Sequence, residues 1–179
     1  MPTQDRLLRI VKPANAAAAL GLAVSHLMTK PAFANLKFGD WSRILVGQIN
    51  RGHFCFAMDA DNQIVGFMGW ALASEEHAEA WVEGRRGLSF EDSKSGDCMV
   101  INAWSASENA VTRVLLAEAR RIAHDKKTVY FKRHYKNGET RASRVAVNAF
   151  VHAHLSRSAD QAVAGRTPDI VRLASGHAR

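Results

Sequence analysis

The chain has 179 residues, of which 47% are hydrophobic and 23% charged, with 12 glycines, 4 prolines and no internal repeat. This balance fits one globular domain and excludes a fibrous or intrinsically disordered protein. No apolar run reaches the ~18–20 residues of a membrane span, and the two cysteines lack the spacing of a zinc site or a disulfide scaffold. We therefore expect a protein of a reducing cytoplasm with no bound metal.

Positive charge is concentrated in the last third of the chain. The protein carries 24 Lys and Arg against 17 Asp and Glu, a net charge of +7, and residues 120–179 hold 13 of the basic residues but only 4 of the acidic ones. Such a segment attracts an anionic partner, which the charge alone leaves open between nucleic acid, a membrane surface and an acidic protein.

The first half of the sequence predicts two helices followed by a β-hairpin. Residues 14–29 have high helix propensity and apolar positions at three- and four-residue steps, which predicts an amphipathic helix. A second helix is expected from an N-cap at Asp40 to a terminating Gly52. Residues 53–58 and 64–72 are apolar and flank a polar turn, which predicts two paired strands.

The second half predicts a helix, a strand, a second helix and another hairpin. These elements are a helix over 74–84, a strand over 98–104, a helix from Ser105 or Ser107 to about His124, and strands over 128–135 and 141–147. From about residue 156 the sequence turns polar and loses its period. We therefore expect a single domain over 1–155 and a polar C-terminal tail over 156–179.

This order of elements predicts an α+β fold with a mostly antiparallel sheet flanked by helices. A strand hairpin followed by strand, helix and strand is similar to the acetyltransferase architecture known as the GNAT fold. We accordingly expect a GNAT-like domain.

Short strings along the chain resemble the RTX toxin-activating lysine acyltransferases. That family has Ser-Pro-Leu-His-Arg near its N-terminus, then an Asn-Gln-Tyr strand start, Cys-Ser-Trp-Ala, Ser-Gly-Asp and Ile-Asp-Trp. The counterparts here are KPAFA at 30–34, RGHF at 51–54, MGWA at 68–71, SGD at 95–97 and NAW at 102–104. The resemblance covers roughly residues 20–150.

The resemblance implies transfer of a fatty acyl group from acyl carrier protein to a lysine of an RTX-type protein, with the acyl thioester as donor and no bound cofactor. In the family, the His of the first string and the Asp before the last Trp form the catalytic dyad. Phe33 and Ala103 occupy those positions here, and neither side chain can accept a proton. Homodimerisation stays open.

Several residues are candidates for a replacement or supporting role. His26, His53 and Asp97 are the candidate substitutes for the missing dyad, although a structural or solvated role explains each of them more simply. Trp70 and Trp104, together with Gly69, are expected to line an acyl pocket, with core packing of the two Trp side chains as the favoured alternative.

The basic hairpin is the expected docking surface for the acidic carrier protein. Its cationic residues are Lys126, Lys127, Lys132, Arg133, Lys136, Arg141 and Arg144. Aromatic residues lie between them, which also permits nucleic acid, and a solvated strand face explains the charges equally well. The alternative function is a catalytically inactive GNAT-like binding or regulatory protein, with nucleic acid binding through the hairpin at 126–144.

Overall fold

The computed structural model describes residues 7–135 and 138–147, which form a six-stranded sheet with helices on both of its faces. The strands are β1 (Arg9–Val11), β2 (Phe54–Met58), β3 (Ile64–Ala73), β4 (Cys98–Ala106), β5 (Thr128–His134) and β6 (Thr140–Ala146). The helices are α1 (Ala16–Leu27), α2 (Pro31–Ala34), α3 (Phe38–Arg51), α4 (Glu75–Val82) and α5 (Asn109–Ile122), with a short 3-10 turn at Glu91–Ser93.

The strands follow the chain order across the sheet, from β1 to β6. Each neighbouring pair is antiparallel except β4 and β5, which are parallel and connected by α5. A parallel pair needs a crossover connection, and the strong amphipathic helix of the sequence provides it. The predicted α+β class with a mostly antiparallel sheet is confirmed.

Strands β4 and β5 stop pairing with each other before either strand ends. Their pairing runs from Cys98 opposite Thr128 to Ile101 opposite Phe131, whereas β4 continues to Ala106 and β5 to His134. The edge of β4 that faces β5 therefore loses its strand partner after Ile101. We call the space between these two strand ends the β4–β5 opening.

One extra residue in β4 interrupts its pairing with β3. Trp70 lies opposite Ile101, but the next residue back along β3, Gly69, lies opposite Ala103. Asn102 is thus the additional residue of a β-bulge, at the same level as the point where β5 departs. A bulge bends its strand and redirects the side chains on either side of it.

The helices divide the core into clusters on the two faces of the sheet. On one face, which we call the α3 face, α1 and α3 cover a cluster that includes Leu45 and Phe67, and α4 covers another that includes Val100. On the other, the α5 face, Leu115 and Val111 of α5 pack against strand residues such as Met68.

The predicted elements are present with small shifts in their ends. The second helix begins at Phe38 after Lys37, so the predicted N-cap Asp40 is wrong: that residue lies in the first helical turn, where a carboxylate favours the positive end of the helix dipole. Strand β1 and the short helix α2 were not predicted, because each is too short for a periodic pattern to show.

The tail over 156–179, and with it the boundary at 155, lies outside the described residues. Among the residues that are described, no helix has the length and apolar character needed to cross a bilayer.

Gly66 on β3 allows α5 to approach the sheet closely. A Cβ at this position would lie 2.5 Å from Val111 Cγ1 and 3.1 Å from Leu115 Cδ1, closer than packed atoms allow. We predict that Gly66→Ala lowers the free energy of unfolding by about 1–3 kcal/mol, measured by urea denaturation.

Gly21 provides the matched control for this substitution. It lies in α1 with open space around its Cα, so Gly21→Ala should raise stability by about 0.5–1 kcal/mol through helix propensity. Equal effects of the two substitutions would contradict the packing of α5 against Gly66.

Candidate functional site

A groove of about 280 Å³ opens on the α3 face, between α3 and the segment that follows α4. Its walls and floor are formed by Arg43, Ile44, Gly47, Arg51, Leu88, Ser89, Phe90, Ser93 and Asn102. Leu88 packs against the cluster under α4, while Arg43 to Arg51 belong to α3. On this face of the sheet, the groove therefore separates α3 from the segment that follows α4. The bulged residue Asn102 of β4 forms part of its lining.

A pair of amide side chains, one buried and one half-buried, supports the floor of the groove. Gln48 of α3 has no exposed surface, and its Nε2 donates a hydrogen bond of 2.5 Å to Oδ1 of Asn102. The Gln48 side chain lies over Gly69, where a Cβ would be 2.3 Å from its Oε1. Gly69 thus makes room for Gln48, which in turn orients the side chain of the bulged residue.

Arg51 brings positive charge to one wall of the groove. Its guanidinium lies over the ring of Phe90, 5.0 Å from the centroid, and its buried Nε has no hydrogen-bond partner in the described part of the chain. Burial lowers the pKa of Arg51 from its ordinary value. Arg43 lines the same groove and none of the lining residues is acidic, so the site favours an anion.

The positions matched to the family dyad belong to one apolar cluster on the α3 face. Ala103 is 5% exposed and is part of the core under α1 and α3, and Phe33 packs against that same core from its edge. The ring of Phe33 lies 6.3 Å from that of Trp41 in an edge-to-face arrangement. Packing of this kind leaves no proton-accepting group at either position.

Of the three candidate substitutes for the dyad, His26 is held in the core by β4. His26 and Ser105 are both buried, with the His Nε2 3.1 Å from the Ser Oγ. Burial, and then the nearby Lys30 ammonium, lowers the pKa of His26. The imidazole is therefore neutral at pH 7, with its hydroxyl partner two residues beyond Ala103.

The other two candidates lie elsewhere. His53 stacks on Trp70 with the rings 5.8 Å apart, and burial, followed by repulsion from Arg51, lowers its pKa to about 4. Asp97 precedes β4 and forms an ion pair with Lys127, whose hydrogen bond lowers the pKa of this exposed carboxyl. The structure thus does not bring His26, His53 and Asp97 together at one site.

The predicted acyl-pocket residues point to opposite faces of the sheet. Trp70 and Trp104 both pack in the cluster of the α5 face, whereas Gly69 faces Gln48 on the α3 face. The two Trp side chains share one cluster, but Gly69 does not line it with them.

Comparison with known proteins identifies the family. The model of the RTX toxin acyltransferase family, HlyC, matches residues 12–149. The chain belongs to this family. No curated protein sequence matches it. The predicted family is thus confirmed, and the protein is an acyltransferase by family.

Solved structures with a similar fold are acetyltransferases. A GNAT family N-acetyltransferase from Escherichia coli in complex with CoA is 10% identical, with 84% of this chain and 86% of that chain covered and a TM-score of 0.48. The apo form of an agmatine N-acetyltransferase is 12% identical, with 87% and 82% covered and a TM-score of 0.47. A histone acetyltransferase HPA2-related protein from Corynebacterium glutamicum is 16% identical, with 75% and 80% covered and a TM-score of 0.43. The sheet itself has the arrangement expected from the order of elements, antiparallel throughout except for the parallel pair β4 and β5 that α5 connects.

Most cations of the basic hairpin of this acyltransferase have local partners. The ion pairs are Lys126 with Asp125, Lys127 with Asp97, Arg141 with Glu139, and Arg144 with both Glu79 and Glu83. Lys132 lies over the ring of Trp81 and Arg133 over that of Phe131. Lys136 lies outside the described residues. The surface offered to an acidic partner is therefore less positive than the sequence implies.

Neither cysteine has the properties of a nucleophile. Burial raises the pKa of Cys55 to about 12 and that of Cys98 to about 11, so both remain protonated thiols at pH 7. Residues 7–135 and 138–147 contain no cluster of three or more potential metal ligands.

The sequence did not indicate two residues that line the groove, Asn102 and Arg51, or the buried residue beneath it, Gln48. Gln48 lies in the apolar stripe of α3 and Asn102 interrupts an apolar strand, so each was a polar residue at a position predicted to be buried. Buried polar groups are usually satisfied by one another, which is the signal that could have paired these two. Nothing in the local sequence of Arg51 indicates that it folds over Phe90.

The bulge predicts different outcomes for a carboxylate at two adjacent positions of β4. Asn102→Asp places it in the groove near Arg43 and Arg51, whereas Ala103→Asp buries it in the apolar cluster. We expect Ala103→Asp to be the less stable of the two by about 3 kcal/mol in urea denaturation at pH 7. If Asn102→Asp is the more damaging substitution, the assigned register of β4 is wrong.

Proposed function

We propose that this acyltransferase moves a fatty acyl group from acyl carrier protein to the ε-amine of a lysine on an RTX-type protein. Family membership supports this reaction class. The observation that carries the proposal is the junction at Asn102, where the bulge, the groove and the β4–β5 opening come together. The cytoplasm is the proposed location, in keeping with two buried cysteines that form no disulfide.

The β4–β5 opening is the proposed site of the donor. Beyond Ile101, the backbone of β4 has no strand partner on its β5 side. An extended pantetheine arm carries amide groups that can pair with such an edge as an added strand would. Bound in this way, the arm would bring its thioester to the level of Asn102.

The proposed reaction is direct attack of a neutral amine on the thioester. The amine nitrogen forms a bond to the thioester carbonyl carbon, and the carbonyl oxygen becomes an oxyanion. The carbon–sulfur bond then breaks, the thiolate of the carrier leaves, and the proton lost by the nitrogen passes to that thiolate or to water. Backbone N–H groups at the bulge are the proposed donors to the oxyanion, because the extra residue of a bulge stands outside the ladder.

The apolar dyad positions favour a reaction without a protein base. Phe33 and Ala103 belong to the α3-face core, and the candidate bases are buried or paired elsewhere. Loss of a general base slows a reaction by about 10²- to 10⁴-fold, while positioning of the two substrates is retained. We therefore propose a slow enzyme that depends on the geometry of the junction.

The apolar side chains of Phe33 and Ala103 also favour a second candidate function, that of a catalytically inactive domain that binds a partner. In that case the opening would hold a carrier without turnover, or the hairpin at 126–144 would bind nucleic acid. The ion pairs of the hairpin weigh against nucleic acid, since four of its cations already have carboxylate partners.

Titration with acyl carrier protein separates these functions. Binding and thioester loss are followed in the same samples with long-chain acyl carrier and with unacylated carrier, at two salt concentrations. The proposal predicts tighter binding of the acylated form and thioester loss that requires a lysine-containing acceptor. Acyl-dependent binding without loss would indicate the inactive binder, and binding of nucleic acid that weakens steeply with salt would indicate the hairpin function.

The pH dependence of acyl transfer shows whether a side chain of the protein acts as a base. The pKa values of His26 and His53 are both lowered, so neither imidazole changes charge above pH 7. Without a protein base, kcat/KM follows the neutral fraction of the acceptor amine, whose ordinary pKa is about 10.4. We expect log kcat/KM to rise with a slope of one from pH 7 to 9, whereas a flat profile over this range would reveal a catalytic His that is already neutral at pH 7.

A further inference from the structure

The groove and the β4–β5 opening approach Asn102 from opposite edges of β4. Gln48 lies over Gly69 of β3, and the backbone of Lys94 bridges to Leu72 of the same strand. The groove is therefore on the β3 side of β4, and the opening is on the β5 side. The groove and the opening therefore lie on different sides of the bulged residue.

The polar groups that face the groove are predominantly hydrogen-bond donors. Arg51 has a buried Nε without a described partner, and Asn102 uses its Oδ1 to accept from Gln48, which leaves its amide hydrogens for another ligand. Arg43 adds a second cation. A set of donors with positive charge is suited to an oxyanion.

The nearby carboxylates do not neutralise Arg51. Glu91 pairs with Lys94, which itself lies over the Phe90 ring at 5.0 Å. Asp92 pairs with Arg86 and contacts His77.

We propose that this groove binds an acidic side chain of the acceptor polypeptide, close in sequence to the lysine that is acylated. The inference rests on the proposed function, because the acceptor lysine is taken to meet the donor at Asn102. The planar guanidinium of Arg51 matches a carboxylate, and Ile44, Leu88 and Phe90 provide apolar walls for the stem of the side chain. A volume of about 280 Å³ is at the lower end of small-ligand pockets and suits side chains of an extended peptide.

The acceptor lysine is not itself the ligand of the groove, because its ammonium is repelled by Arg51 and Arg43. A carboxylate on a neighbouring residue of the acceptor supplies the attraction that holds the peptide there.

Fluorescent peptides test the proposal without any acyl carrier present. Three peptides carry one central lysine flanked by Glu, Gln or Lys, and anisotropy gives their dissociation constants for the full-length protein. We expect the Glu-flanked peptide to bind about tenfold more tightly than the Gln-flanked one. Equal affinity of the three peptides would overturn the proposal.

Substitutions of Arg51 test whether the preference for the Glu-flanked peptide arises in the groove. Arg51→Gln should abolish the difference between the Glu and Gln peptides, and Arg51→Lys should restore only part of it because the planar fork is lost. Arg120→Gln is the matched control: this exposed Arg lies on α5, on the opposite face of the sheet, and its removal should leave the preference unchanged. An equal loss in the Arg51→Gln and Arg120→Gln variants would mean that net charge alone attracts the peptide.

A second substitution in the groove, at an exposed residue, tests the same preference in case Arg51→Gln disturbs folding. Ile44 is 43% exposed, so Ile44→Glu adds a competing carboxylate to the groove wall with little effect on the core. It should reduce the preference for the Glu peptide, and an unchanged preference in the folded variant would overturn the proposal.

The two proposals fail in different ways. A preserved Glu preference without acyl transfer to any of these peptides would leave the groove as an acidic-peptide site and remove the proposed enzyme function. If Arg51→Gln instead weakens binding of unacylated carrier and leaves the peptides unaffected, the groove belongs to the phosphodiester of the carrier and the acceptor assignment is wrong.

Discussion

The single extra residue in β4 is the constraint on which the site depends. Without it, strand alternation would send Asn102 and Ala103 to opposite faces, but the bulge directs both toward α3. One then contributes to the groove and the other to the core. Gln48 stabilises this arrangement by donating to Asn102, and Gly69 provides the space that Gln48 needs. A polar floor is thereby built at the centre of an otherwise apolar sheet.

The chemistry proposed for this family member follows from what the core contains. Phe33 and Ala103, which the resemblance is expected to match to the family's proton-transfer pair, add to hydrophobic packing instead. The remaining means of catalysis are the positioning of two substrates and electrostatic stabilisation around Asn102. Arg51 belongs to the first of these, the positioning of the acceptor, since its guanidinium lies over Phe90 and faces a groove with no carboxylate in its lining.

The sequence was sufficient to predict the longer helices and strands but not the register and the side-chain contacts between them. Periodicity identified α3 and α5, and the turn signals identified both hairpins, because these depend on neighbouring residues. The bulge could not be predicted, since it is defined by the register of β4 against β3. Long-range partners were likewise hidden: Arg144 was expected to face a carrier protein, but it pairs with Glu79, 65 residues earlier in the chain. For the same reason, Gly69 was expected to line a pocket together with Trp70 and Trp104, whereas the two Trp side chains lie on the other face of the sheet.

Hydrogen exchange measures the central claim most directly, namely that the acyl donor binds in the β4–β5 opening beside the bulge of β4. The protein is compared alone and with acyl carrier protein bearing a non-hydrolysable amide analogue of the acyl thioester, with unacylated carrier as the control. We predict acyl-dependent protection of residues 102–106 of β4 and 132–134 of β5, which border the opening. Protection confined to the hairpin, or equal protection by both forms of the carrier, would contradict a donor site between these strands.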